Sequence, residues 1–285
     1  MKPWRREQWC IPPEANAAFV WQMGDVLGVY TRPHDPARPV VCLDETSRQV
    51  LAEVRPPLPL APDTPQRQDP EYVRHGVANL FLLCEPLRGW REVVVSDRRT
   101  RLDWAACVKD LLAVHYPAAA KVVLVMDNLN IHSPASLYAA FPPVEARRLA
   151  DRLEIHDTPK HGSWLNMAAI EPGILQRQCL DRRLGDQATV AREVAAWVTA
   201  RNAAVQRSDW RFTTADARIT LKRLYPVHAY CAGRPGDAAA RGEARCGGGY
   251  RSRQASATSQ KSRSRIACVS QRRSSQAVPL LSPPP

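Results

Sequence analysis

Apolar residues recur along this chain at two spacings, and the alternation between them lays out a mixed set of helices and strands. The first 35 residues read as a helical lead-in. Pro12-Pro13-Glu14 can open a helix, and Ala18, Trp21, Val26 and Val29 supply an apolar face. Val40-Val41-Cys42-Leu43 is a short continuous apolar run, the mark of a buried strand, ended by Asp44-Glu45-Thr46. A proline-rich loop follows from Arg55 to Pro70. With five prolines between Pro56 and Pro65, it must be extended and cannot be helical. Val77–Cys84 and Glu92–Val95 read as the next two strands, with Pro86-Leu87-Arg88-Gly89 as the turn between them.

Thr100 followed by Asp103 has the form of a capping box, and Leu102, Ala105, Ala106, Leu111 and Leu112 continue at helical spacing. Lys121–Met126 (KVVLVM) is an uninterrupted apolar strand of the kind covered on both faces. A helix from Pro142-Pro143 to about Leu153 leads into a short strand, Leu153-Glu154-Ile155-His156. Trp164–Leu180 is expected to be mostly helical, irregular at Pro172-Gly173. Asp186 caps a last helix through Arg201, with Val190, Val194, Trp197 and Val198 on one face. Three strands that can form a meander, then alternating helices and strands, predict an α/β chain: a mixed sheet flanked by helices, in the ribonuclease-H-like (retroviral-integrase-like) order. The expected organisation is a lead-in over 1–35, this domain over 36–226, and a disordered basic tail over 227–285. The tail has Gly247-Gly248-Gly249, many Ser and Arg, a terminal Pro283-Pro284-Pro285 and no periodicity, so it cannot bury enough surface to offset its ordering entropy. Its composition is that expected of out-of-frame translation of GC-rich DNA, with a basic tail that binds DNA phosphates without sequence preference as the alternative.

Composition narrows the classes. No run of eighteen apolar residues is present, so no membrane span is expected, and the basic N-terminus lacks the apolar stretch of a secretion signal. Cys10, Cys42, Cys84, Cys107, Cys179, Cys231, Cys246 and Cys268 include no C-x-x-C pair, which argues against a zinc ribbon. Several sit inside apolar runs, as buried thiols of a reducing cytoplasm do. The net charge of +12 invites a nucleic-acid reading, but residues 227–285 hold ten Lys or Arg against two Asp or Glu, so the tail carries +8 of it. The rest is only mildly basic.

The chemistry is carried by position. Asp44 follows the first buried strand and Asp127 follows KVVLVM. In open α/β sheets ligand-handling groups gather at strand ends. If these strands are neighbours, the two carboxylates converge, and a hard divalent cation relieves their repulsion. Two such ions roughly 3.5–4 Å apart can activate an attacking oxygen and stabilise a leaving oxygen in phosphoryl transfer. An Asp after a strand also serves as a turn former or helix cap, and for either residue alone that role stands beside the catalytic one.

Longer motifs add a resemblance. Asp127-Asn128-Leu129-Asn130-Ile131-His132 and Thr158-Pro159-Lys160-His161-Gly162-Ser163-Trp164-Leu165-Asn166 resemble the DDE transposases of bacterial insertion sequences, closest to the mariner-related IS-six-thirty branch. Leu43-Asp44-Glu45-Thr46 resembles that family's first acidic motif. The segments Asp209–Arg218 and Leu221-Lys222-Arg223-Leu224-Tyr225-Pro226 resemble its C-terminal signature. The resemblance spans about residues 5–226. It implies a metal-dependent enzyme with an Asp, Asp, Glu triad that cleaves transposon ends and joins the freed 3′-hydroxyl to target DNA. It also implies Mg²⁺ or Mn²⁺ as cofactor, as two ions, Asp44 and Asp127 as metal ligands, and action as a homo-oligomer. Asn128 and His132, beside Asp127, either orient it or cap the next helix.

Two departures qualify that expectation. The family's third acid stands three residues after the Leu-Asn pair, and here that position is Ala169. The nearest acid, Glu171, is a candidate third catalytic residue. Two residues along a helix is about 200° of rotation, so the two side chains face nearly opposite ways. Pro172 can also shift the start of the helix. The family's helix-turn-helix domains precede the core, and residues 1–35 are too short to contain them. The alternative reading is therefore a catalytically inactive remnant that only binds DNA or another transposase. A ribonuclease-H-like nuclease that does not transpose fits the C-terminal signature less well.

Overall fold

The structure, a computed structural model, describes residues 14–129 and 132–226. The tail expected from Val227 onward, and the first part of the lead-in, lie outside the described residues. Five strands form one sheet: β1 (Val40–Glu53), β2 (Tyr72–Glu85), β3 (Trp90–Ser96), β4 (Val122–Met126) and β5 (Leu153–Asp157), in spatial order β3-β2-β1-β4-β5. The first three pair antiparallel as a meander, while β1/β4 and β4/β5 are parallel. Helices cover both faces, which is the mixed sheet of the ribonuclease-H-like fold.

The packing follows the apolar patterning. α2 (Arg101–Asp110), its π-helical continuation Leu111–His115, α3 (Pro134–Ala140) and α4 (Pro143–Asp151) cover one face with Trp104, Leu111, Leu112, Leu137 and Leu149 against Leu43, Phe81 and Leu124. α1 (Ala17–Tyr30) and α7 (Thr214–Thr220) cover the other face with Met23, Leu27 and Ala217 over Cys42, Cys84, Val123 and Val125. α5 (Glu171–Gln178) and α6 (Gln187–Ala203) pack Leu175, Val194 and Trp197 on Leu80, Leu82 and Val93. β4 is buried along its whole length between these layers, as its continuous apolar run requires. Each large aliphatic side chain so buried contributes about 1.5–3 kcal/mol.

Helix ends are set by the residues expected to set them. Thr100 and Asp103 form a capping box at the start of α2, Asp186 accepts from the Thr189 N–H at 2.7 Å to start α6, and Thr213 with Asp216 repeats the box at α7. The β2–β3 turn needs Gly89, whose φ of +76° brings its α-carbon against the main chain of Val205–Arg207. An added β-carbon would sit 3.0 Å from the Val205 carbonyl carbon.

Several expectations are corrected. β1 does not end at Leu43. It runs ten residues further, paired only with β2, and Asp44 lies within it. The polar residues Ser47, Arg48 and Gln49 suit this segment because β4 has already stopped and no sheet neighbour buries its far side. α1 buries Phe19, Met23, Val26, Leu27 and Val29 and leaves Trp21 exposed, so the expected apolar face is rotated. Leu102 is likewise exposed, and Trp104 takes the core position of α2. The stretch from Trp164 is not one helix. Two short 3₁₀ turns, Ser163–Leu165 and Met167–Ile170, precede α5, which starts with Pro172 in its first turn. Among the described residues no helix is long and apolar enough to cross a membrane.

Candidate metal centre

The centre is built where β4 ends beside β1. Their parallel register pairs Val40 with Val123 and Cys42 with Val125, so two residues further on the same face stand Asp44 and Asp127. The two carboxyl groups interact. Burial first, then the charges of Asp127 and Glu45, push the Asp44 carboxyl up to about 6, against the pull of the Glu45 main-chain N–H and of His132. Asp44 is thus held in place by its strand, and Asp127 by the end of the most deeply buried one.

His132 stands beside Asp127. Its Nδ1 lies 3.2 Å from the Asp127 carbonyl oxygen and 3.0 Å from the carboxylate Oδ1. Its Nε2 pairs with the Glu45 carboxylate, and both side chains are almost wholly removed from solvent. The ring stacks against Trp104, with centroids 6.0 Å apart and planes 27° apart. Burial would lower the pKa of this imidazole. The hydrogen bonds to Asp127 and Glu45 outweigh burial and raise it to about 9. Glu45, Asp127 and His132 place one ligand atom each within 4.8 Å of one another.

β5 ends at the same rim. Asp157 is opposite Met126, and its carboxyl is raised by burial and by the charge of Asp127. Its Oδ1 is buried without a hydrogen-bond partner among the described residues. From here the chain runs from Thr158, whose N–H donates to the Met126 carbonyl at 2.9 Å, to Asn166, whose Nδ2 donates to the Leu43 carbonyl at 2.7 Å. That segment therefore spans from the residue beside Asp127 to the residue before Asp44. Asn166 also caps the 3₁₀ turn that carries Ala169, which is exposed.

Of the three residues singled out in the sequence, Asp44 and Asp127 stand close enough for their charges to interact, but the group whose ligand atoms lie within 4.8 Å is Glu45, Asp127 and His132, without Asp44, and Glu171 is turned away from all of them. Its carboxylate is turned toward β3 and α6. Arg91 Nε donates to Glu171 Oε2 at 2.8 Å in a buried pair, and Arg201 Nη2 lies 3.8 Å away. The half-turn between positions 169 and 171 puts one outside and the other inside, as helical geometry requires. Glu45 and Asp157 were not picked out from sequence. Glu45 was visible only as the neighbour of Asp44, and strand alternation sends it to the opposite face.

The donor set fits a hard divalent cation. Asp44 and Asp127 would supply oxygen ligands to such an ion, whose charge would offset both the burial of Asp44 and the repulsion from Asp127 that raise its carboxyl. The methyl of Ala169 offers no third donor. One consequence concerns the protein without metal. The folded Asp44 pKa is above the ordinary 3.8, so folding favours its protonated form. The stability this gives is full below about pH 4 and lost as pH rises through about 6. Asp44→Asn is expected to stabilise the metal-free protein at pH 7.5 by about 1–3 kcal/mol and to flatten that part of the pH profile. Urea denaturation at pH 4.5 and 7.5 measures both.

No curated protein matches the chain by sequence. Among solved structures it is similar to the Mos1 mariner paired-end complex with Mn (TM-score 0.46, 14% identity, covering 71% of this chain and 61% of that one). It is similar also to the Mos1 transposase paired-end complex with left transposon end (0.46, 15%, 77% and 65%) and to the Mos1 Strand Transfer Complex (0.45, 13%, 71% and 60%). The chain thus spans about three-fifths of the length of those relatives. Residues 39–191, more than half of the chain and including both Asp44 and Asp127, match the DDE superfamily endonuclease family, and the chain belongs to that family.

Proposed function

We propose that this chain is the catalytic domain of a transposase of the bacterial IS-six-thirty branch, acting on the DNA ends of an insertion sequence and on target DNA. The observation that carries the reading is that Asp44, within β1, and Asp127, just after the end of the neighbouring parallel strand β4, interact through their carboxylates inside a DDE endonuclease domain. Asp44 and Asp127 bind Mg²⁺ or Mn²⁺ through oxygen ligands. The bound metal supplies Lewis-acid activation of the attacking oxygen and neutralises charge on the reacting phosphate. The protein's own share is to hold Asp44 within β1 and Asp127 just after the end of β4, with the His132 ring beside Asp127 stacked on Trp104. Glu171 serves the fold as the partner of Arg91. DNA is the partner in this reading, held by a homo-oligomer that brings two ends together.

A second reading is favoured by one observation, the exposed Ala169 on the turn tethered beside Asp44. With only two acidic ligands the copy binds DNA, or another transposase, and cuts slowly or not at all. Nicking of a labelled duplex carrying the element's terminal repeats, with Mg²⁺ and with Mn²⁺, separates the two. Metal-dependent nicking that is lost in Asp127→Asn supports the enzyme. DNA binding with no nicking in either metal supports the binding protein. Neither activity on any element end would remove the proposal.

A further inference from the structure

Glu45 and His132 are 87 residues apart in sequence, yet they form the most buried polar contact at the centre. Their side chains are 1% and 0% exposed. A buried carboxylate and imidazole lose their hydration, and they persist in a core only when each is hydrogen-bonded. Here the imidazole uses both nitrogens, one toward Glu45 and one toward the carbonyl and carboxylate of Asp127. Glu45 adjoins Asp44 on β1, whereas His132 lies on the segment after β4. The contact therefore ties together the two chain segments that carry the metal-binding carboxylates.

We infer that Glu45 and His132 are positioning residues: the Glu45 carboxylate holds the His132 ring, and the ring holds the Asp127 carboxylate in the rotamer that faces Asp44. The inference rests on the reading of Asp44 and Asp127 as metal ligands. Geometry supplies the reason. Glu45 points to the face packed by α2, the opposite face from Asp44, and its carboxylate, the His132 ring and the Asp127 carboxylate place one ligand atom each within 4.8 Å of one another. Trp104, fully buried, stacks on the ring and leaves it one plane to occupy. Oδ1 of Asp127, buried and otherwise without a hydrogen-bond partner among the described residues, lies 3.0 Å from the ring nitrogen. A helix-capping role for His132 does not account for the contact with Glu45, and the α3 N-cap, Ser133, makes no side-chain cap. Partners of this kind typically set metal affinity by 10–100-fold without touching the ion.

The test is a Mn²⁺ titration followed by the electron paramagnetic resonance of the free ion, on the whole chain and on Glu45→Gln and His132→Gln. Far-UV circular dichroism and thermal unfolding accompany each titration. Both variants are expected to bind Mn²⁺ about 10–100-fold more weakly while still unfolding cooperatively. A merely structural contact would lower the unfolding midpoint and leave the affinity of the folded protein unchanged, and that result overturns the inference. Should Glu45→Gln not fold, Glu45→Asp keeps the charge but shortens the reach by one methylene, and the same readout decides. If the unaltered chain shows no saturable Mn²⁺ site, the metal reading itself fails and takes this inference with it. Normal binding by the unaltered chain and by both variants removes the inference alone.

Discussion

Ala169→Glu is expected to raise Mg²⁺-dependent nicking of a cognate transposon end by about 10²–10³-fold, the scale on which one electrostatic group at a reacting phosphate acts. The turn carrying residue 169 is fastened to β1 by the bond from Asn166 to the Leu43 carbonyl, one residue before Asp44. Ala169 is exposed, so a longer side chain has room and the fold should tolerate it. A third carboxylate there completes the donor set that Asp44 and Asp127 begin. Nicking rates of the two proteins on the same labelled duplex, at equal folded concentration, give the answer. An unchanged rate would mean that position 169 does not face the metal and that the third ligand comes from elsewhere.

Glu171→Ala is expected to have its large effect on stability, and that separates the two acids. Removing Glu171 leaves Arg91 buried without its partner, next to Arg201, whose own pKa is already depressed by burial and by the charge of Arg91. Breaking a buried pair in this way costs about 3–5 kcal/mol. The urea midpoint should fall with little change in slope. Any nicking by the fraction that stays folded should persist. The reverse outcome, near-normal stability with metal-dependent nicking abolished, would make Glu171 the missing catalytic acid.

The sequence was most legible where a local cause dominates. Val122–Met126 is an interior strand because every one of its residues is buried, and Thr100 with Asp103 start a helix because the two side chains satisfy each other's backbone donors. That Asp44 and Asp127 stand at one level of the sheet could be anticipated because β1 and β4 run parallel side by side, although Asp44 lies inside β1 and not at its end. Less legible was anything set by a distant partner. The continuation of β1 beyond Asp44 depends on β2, whose Tyr72–Glu85 run matches it residue for residue apart from one bulge near Gln49–Leu51. The direction of α1 depends on which of its apolar residues meet Cys42 and Val123, and a helix rich in them gives no single face to read. Glu45 finds His132 across 87 residues, and Arg91 finds Glu171 across 80. Neither contact has a sequence signal, because no local periodicity relates such partners. The order in which the strands lie side by side brings them together.

In the proposed function Asp44 and Asp127 hold one cation together. Crystals of the chain soaked in Mn²⁺ and measured near the manganese absorption edge test it most directly. An anomalous peak bridging the carboxylates of Asp44 and Asp127, lost in Asp127→Asn, is the predicted result. No peak at that rim in a well-ordered crystal, or a peak bound only by other residues, would contradict it.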